Sequence, residues 1–156
     1  MSPLQKLTSY LDERKIPYEI IHHKRDFTAQ RTAADTHTPG KAFAKTVILV
    51  VDGKFGMFVL PAMLKIDLEK VKHELGAKEV RLATESEFSG ICTNCEVGAM
   101  PPFGTLYNLP VYVSPLITED QLITFNAGTH EDVVRMRYND YEKLVQPVVM
   151  NFTVDR

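Results

Sequence analysis

Ala44-Lys45-Thr46-Val47-Ile48-Leu49-Val50-Val51-Asp52-Gly53-Lys54-Phe55-Gly56-Met57-Phe58-Val59-Leu60 decides the fold. Residues 44–51 are almost continuously apolar and rich in β-branched side chains, which predicts a strand buried on both faces rather than one alternating between core and water. Asp52-Gly53 follows at once. Both residue types tolerate the positive φ of a tight two-residue turn, so residues 55–60 are expected to return as the antiparallel partner. A hairpin buried on both faces needs a layer above and a layer below it. The flanking sequence supplies helices for both.

Upstream, Ser2 reads as an N-cap with Pro3 at the first helical position and Gln5 closing a capping box. Leu4, Leu7 and Leu11 share one face of that helix, and Pro17 is expected to end it. Residues 18–21 read as a short strand, and the Ala/Thr-rich residues 27–35 as a helix closing at Thr38-Pro39-Gly40. Downstream, Asp67 caps a helix with Leu68, Val71 and Leu75 on one side and Gly76 as its stop. Residues 80–82 read as a strand, and Thr84-Glu85-Ser86-Glu87 as a capping box that opens a short helix. Residues 92–104 carry Gly and Pro signals of a shaped loop. Residues 111–113, 122–125 and 133–136 are strands. Asn139-Asp140-Tyr141-Glu142 is expected to cap a last helix ending at Pro147, with residues 148–154 as a final strand. Strands interleaved with helices, and at least one hairpin, predict an α/β fold on a mixed β-sheet flanked by helices. No internal repeat or linker divides the chain, so residues 1–156 are expected to form a single domain.

Composition narrows the function. The chain has 156 residues, 18 basic against 20 acidic side chains and a formal net charge of −2, with 44% apolar and 24% charged residues. Those values suit a globular domain and argue against disorder. They also argue against a strongly basic nucleic-acid binder, leaving room for a local basic patch. No apolar run approaches the roughly 20 residues of a membrane-spanning helix, and residues 1–15 lack the pattern of a signal peptide, so a cytoplasmic location is expected.

The familiar catalytic motifs are missing. No Gly-rich phosphate loop follows the first strand, and neither a Gly-x-Ser-x-Gly elbow nor a His-Glu-x-x-His pair occurs. Cys92-Thr93-Asn94-Cys95 could be a redox dithiol or half of a zinc site. However, Glu96, Gly98 and two prolines follow where a redox pair would open a helix, and no histidine pair completes a zinc site. The pair reads as two small loop residues. Lys45 stands out, because a charge at the head of the most apolar strand costs free energy unless it has a partner or reaches water. Such a lysine offers a point charge and three donors to a phosphate or carbonyl. In Gly98-Ala99-Met100-Pro101-Pro102-Phe103-Gly104, prolines stiffen the backbone where glycine permits unusual angles, a loop able to aim backbone N–H groups at a carbonyl. Asn126-Ala127-Gly128-Thr129-His130 is a third polar segment between strands.

In order and spacing these segments, with Leu75-Gly76-Ala77-Lys78-Glu79-Val80-Arg81-Leu82-Ala83, resemble the YbaK / prolyl-tRNA synthetase-associated domain, a family of aminoacyl-tRNA deacylases. The resemblance covers nearly the whole chain. The family's functional lysine falls on Lys45 and its Gly-x-x-x-Pro loop on Gly98 to Pro102. Gly128-Thr129-His130 is similar to a Gly-x-His segment whose histidine helps select the amino acid in synthetase-inserted members. The resemblance implies a free-standing trans-editing hydrolase that cleaves the ester of mischarged aminoacyl-tRNA, with no cofactor and no metal. Lys45 and Gly98 would be catalytic: the lysine on the terminal phosphates, the Gly98 N–H on the ester carbonyl, and the tRNA's own 2′-hydroxyl helping to activate water. Ala99, Met100, Pro101, Pro102, Gly128 and His130 would bind substrate, and Met100 and Pro101, which depart from many relatives, would reshape the pocket. The expected partners are the acceptor end of tRNA and, given the modest charge, an aminoacyl-tRNA synthetase that helps select the tRNA. Two other classes compete: a non-catalytic module of the same fold that holds tRNA ends, and a redox or metal protein built on Cys92 and Cys95.

Overall fold

The computed structural model describes residues 2–22 and 43–154; the helix expected at residues 27–35 and its Thr38-Pro39-Gly40 stop lie outside them. Eight strands form one mixed sheet: β1 (Tyr18–His22), β2 (Phe43–Val51), β3 (Lys54–Pro61), β4 (Val80–Leu82), β5 (Val111–Val113), β6 (Leu122–Asn126), β7 (Asp132–Arg137) and β8 (Val148–Val149). Their order is β1-β7-β6-β2-β3-β5-β8, with β4 added to β2. The decisive hairpin forms as read. Val51 pairs with Lys54 across Asp52 (φ 49) and Gly53 (φ 82), the double positive φ that a tight turn of this hand requires.

Side chains of β2 and β3 alternate between two cores. Ala44, Ile48, Met57 and Val59 join the larger cluster, while Leu49, Phe58 and Leu60 join the smaller. The larger is covered by α1 (Pro3–Glu13) through Leu7 and Leu11, by α3 (Glu85–Ile91) through Phe88, and by α5 (Tyr138–Val145) through Tyr141. The smaller is covered by α2 (Leu68–Leu75) through Val71 and by Met150 and Phe152. A single-turn helix, α4 (Pro115–Thr118), follows β5.

The capping boxes of Ser2 and Thr84, the Asp67 cap and the left-handed Gly76 stop are all present. Three expectations need correction. α1 stops at Glu13, ahead of Pro17, because Lys15 turns to φ 56. α5 begins at Tyr138 with Arg137 in the cap position and no side-chain cap, so Asn139 and Asp140 sit inside the helix. The final strand is only Val148–Val149, followed by an isolated bridge from Thr153 to Ile66.

What positions the site is an interruption beside β2. On the edge away from β3, β6 pairs in parallel with Phe43 and Ala44 only, and β4 pairs with residues 49–51 only. Ala83 N–H reaches Ile48 O at 3.0 Å as β4 leaves. Between these contacts, residues 45–47 have no strand alongside them among the described residues.

Asp52 ties this arrangement down, its carboxylate accepting from Lys78 N–H and Glu79 N–H at 2.9 Å each. Asp52→Ala removes both bonds and leaves a left-handed residue without a local partner, so stability to urea should fall by about 2 kcal/mol. Asp52→Asn, which tolerates that conformation and keeps one acceptor oxygen, should restore part of the loss.

Candidate active site

The interrupted edge opens into a cleft of about 240 Å³, walled by Thr46, Val47 and Ile48 of β2, by Leu82 to Glu85, by Phe88, and by Val97 and Gly98. A neighbouring cleft of about 250 Å³ holds Lys45 and Lys65 together with Val47, Ile66, Leu68 and Leu82. Val47 and Leu82 belong to both, so they form the ridge between the two chambers. Leu82 and Val97 are more than half exposed, apolar rims left open in an otherwise packed region.

Lys45 is half-buried at the mouth of the second chamber. Its burial, with a smaller contribution from the Lys65 charge, holds its ammonium below the usual lysine range. None of the described residues in that chamber's lining carries a negative charge.

The loop before Gly98 is built as a tight turn. Ala99 N–H donates to Glu96 O at 3.0 Å, and Gly98, third of the four residues, has φ +83, the left-handed angle that such a turn demands there. Segment 128–130 grips this turn from behind with four hydrogen bonds: Glu96 N–H to Gly128 O at 2.8 Å, Gly128 N–H to Ala99 O at 2.7 Å, His130 N–H to Glu96 Oε1 at 2.8 Å, and the His130 ring to Val97 O at 2.9 Å. A carbonyl only accepts, so His130 Nε2 carries the proton. The peptide joining Val97 to Gly98 is trans, so its C=O and N–H point in opposite directions. With the C=O drawn back toward His130, the Gly98 N–H points away from that ring.

The expected site residues thus separate by position. Lys45 and Gly98 line the two adjoining chambers. Ala99, Met100, Pro101 and Pro102 do not line them: all four are buried, and Met100 packs in the larger core with Phe103. The Tyr141 hydroxyl, itself buried, donates to Pro102 O at 2.7 Å. Met100 and Pro101 are thus buried beneath the loop and do not appear in the lining of these two clefts. Gly128 and His130 stand behind the turn. Gly128 has φ +103, and a Cβ there would lie 2.5 Å from Pro3 Cβ, so its role is close packing against the start of α1.

Cys92 and Cys95, read as two small loop residues, are joined as a disulfide at the C-terminal end of α3, immediately before the Glu96 turn. Sequence reasoning also passed over Glu96, Leu82 and Lys65. Only a carboxylate preceding a Gly-containing turn hinted at the first, and the other two join the site through pairing and packing far from it in sequence.

A model of the aminoacyl-tRNA editing domain matches residues 23–144. The chain belongs to that family. It is 27% identical over 154 residues to the multifunctional Ser/Thr-tRNA deacylase ProXp-y of Escherichia coli, spanning 95% of this chain and 91% of that protein. Its fold also matches a crystal structure described as that of a trans-editing enzyme for prolyl tRNA synthetase, with a TM-score of 0.84, 19% identity and 99% of each chain covered. No helix among the described residues is long and apolar enough to cross a membrane.

The disulfide closes a loop of only a few residues, so opening it should cost at most about 2 kcal/mol. The doubly substituted Cys92→Ser, Cys95→Ser protein is expected to melt slightly lower and to deacylate within about threefold of the native rate (~0.7 kcal/mol). Activity that follows reduction and reoxidation of the native pair would contradict this.

Proposed function

We propose that this editing domain acts as a hydrolase of mischarged aminoacyl-tRNA, binding the aminoacylated terminal adenosine across the Val47–Leu82 ridge. The terminal phosphate lies in the chamber of Lys45, and the ester lies in the chamber of Gly98. The observation that carries this reading is the peptide before Gly98, whose carbonyl is held by His130 at a residue that lines the cleft; its N–H, opposed to that carbonyl, is the donor we assign to the ester. Such a donor stabilises charge developing on the ester oxygen without any reorganisation during the reaction.

No side-chain nucleophile is required. An aminoacyl ester is already activated, and holding it in one orientation converts attack by water into an effectively intramolecular event. The neighbouring 2′-hydroxyl of the substrate helps activate that water. Lys45 supplies a charge-assisted grip on phosphate, and the apolar rims Leu82 and Val97 exclude solvent around the sugar and base. His130, Glu96 and Gly128 position the turn from behind, and the whole of residues 1–156 serves as one editing unit. A module that merely held tRNA ends would have no use for a turn so fully fixed.

Two substitutions test the assignment. Gly98→Ala forces an alanine into φ +83, a conformation strained for any L side chain, while its Cβ would meet only His130 Cε1 at an ordinary 3.8 Å, so the expected damage is a displaced turn rather than a clash. Single-turnover deacylation should fall roughly 10²–10³-fold, with tRNA affinity little changed. A variant that melts normally and reacts at the native rate would remove the backbone donor from the mechanism. Lys45→Ala should lower kcat/KM by about 1.5–3 kcal/mol. In the native protein, phosphate affinity should decline with rising pH below the ordinary lysine value, because Lys45 loses its proton early. Stability should run the opposite way. The unfolded chain holds that proton more tightly, so the fold gains as pH climbs through the lowered Lys45 value. An alkaline affinity profile identical in Lys45→Ala would count against the role.

A further inference from the structure

Lys65 belongs to no part of the mechanism above, yet it faces Lys45 across one small chamber. The two lysines arrive from different elements, Lys45 on β2 and Lys65 on the turn between β3 and α2. The remaining lining is apolar: Val47, Ile66, Leu68 and Leu82. Two ammonium groups sharing a chamber with no carboxylate among its described lining residues repel each other, and the fold keeps them there.

Among the described residues, the charged groups next to Lys65 in sequence have partners of their own. The Asp67 carboxylate accepts from Glu69 N–H at 3.0 Å and Lys70 N–H at 3.3 Å as the cap of α2. The Lys70 ammonium donates to Thr153 O at 2.8 Å. The Lys65 main chain is meanwhile held firmly. Its carbonyl accepts from Val154 N–H at 2.8 Å, Ile66 bridges to Thr153, and Asp67 N–H reaches Phe152 O at 2.8 Å. The backbone is pinned while the charged head is exposed, the arrangement of a side chain presented to an anion from solution.

The ridge fixes which anion. Lys45 adjoins Thr46, which lines the ester chamber, whereas Lys65 lines only the outer one. We propose that Lys65 forms a second phosphate subsite beside Lys45 and binds the 5′-phosphate of the penultimate nucleotide, one phosphate further from the terminus than the one Lys45 holds, so that the site reads an oligonucleotide end of at least two nucleotides rather than a lone aminoacyl nucleoside. The inference rests on the deacylase reading for its orientation, but the chemistry of the subsite is that of any single-stranded nucleic-acid end.

Binding of unacylated ligands separates the two claims, because it needs no hydrolysis. The probes are adenosine 5′-monophosphate, the dinucleotide CpA with a 5′-phosphate, and pyrophosphate, each titrated against native protein and Lys65→Gln. The expected result is that Lys65→Gln weakens the dinucleotide three- to tenfold, leaves the monophosphate within twofold, and reduces the slope of log affinity against log salt by about 0.7. On mischarged tRNA the same variant should raise KM several-fold and leave kcat within twofold. Unchanged melting should accompany this, since the side chain is exposed. Equal weakening of monophosphate and dinucleotide would place both lysines on one phosphate and overturn the proposal. So would no weakening of either, or pyrophosphate binding as tightly as the dinucleotide with the same Lys65 dependence. If the dinucleotide results hold while mischarged tRNA is not hydrolysed, the subsite stands and the deacylase reading falls.

Discussion

The structure depends on a stretch of sheet edge that no strand fills among the described residues. β2 is the most deeply embedded strand, yet one of its edges is shared between two partners that do not meet: β6 at its beginning and β4 at its end. Backbone groups on an open edge must find partners or water, so a gap in the middle of a sheet is costly unless something enters it. Here the gap becomes the floor of the clefts. Because both faces of β2 are packed, one toward each core, the gap also lets the two chambers meet at Val47 and Leu82. The hairpin turn, the Asp52 links to β4 and the short β6 pairing all serve to hold that opening at a fixed width.

Around this opening the protein places backbone rather than reactive side chains. The Glu96 turn, gripped by segment 128–130, is as rigid as the core behind it, with Met100 and Phe103 as its anchors. An N–H held by covalent geometry and hydrogen bonds loses no rotamer freedom when substrate binds, unlike a lysine or serine aimed at the same atom. That economy suits a reaction whose substrate is already reactive and whose main demand is orientation.

Much of the fold was legible locally. Turn chemistry at Asp52-Gly53 and the caps at Ser2, Asp67 and Thr84 are short-range signals, and each appears where the sequence places it. The last helix was misread because Asn139-Asp140 looks like a cap, whereas packing of Tyr138 and Tyr141 pulls the helix start forward to Arg137. Lys45 was readable as a charge in an apolar run. Met100 was not: in a loop with two prolines nothing local says whether a side chain meets substrate or core. Lys65 and Leu82 were invisible for the same reason, since only strand pairing brings them to the site.

Gly128 carries a consequence for how the protein acquires its activity. Its missing side chain is the space into which Pro3 fits, so the segment that grips the Glu96 turn is itself backed by the first turn of α1. That contact joins the start of the chain to the β6–β7 connection and spans a long stretch of sequence. Contacts of such separation close late, after local hairpins and helices have formed. The pairing of β1 with β7 spans a similar separation, so a chain emerging from the ribosome forms its local hairpins and helices first, and this segment closes together with the outer strands in a late, cooperative step.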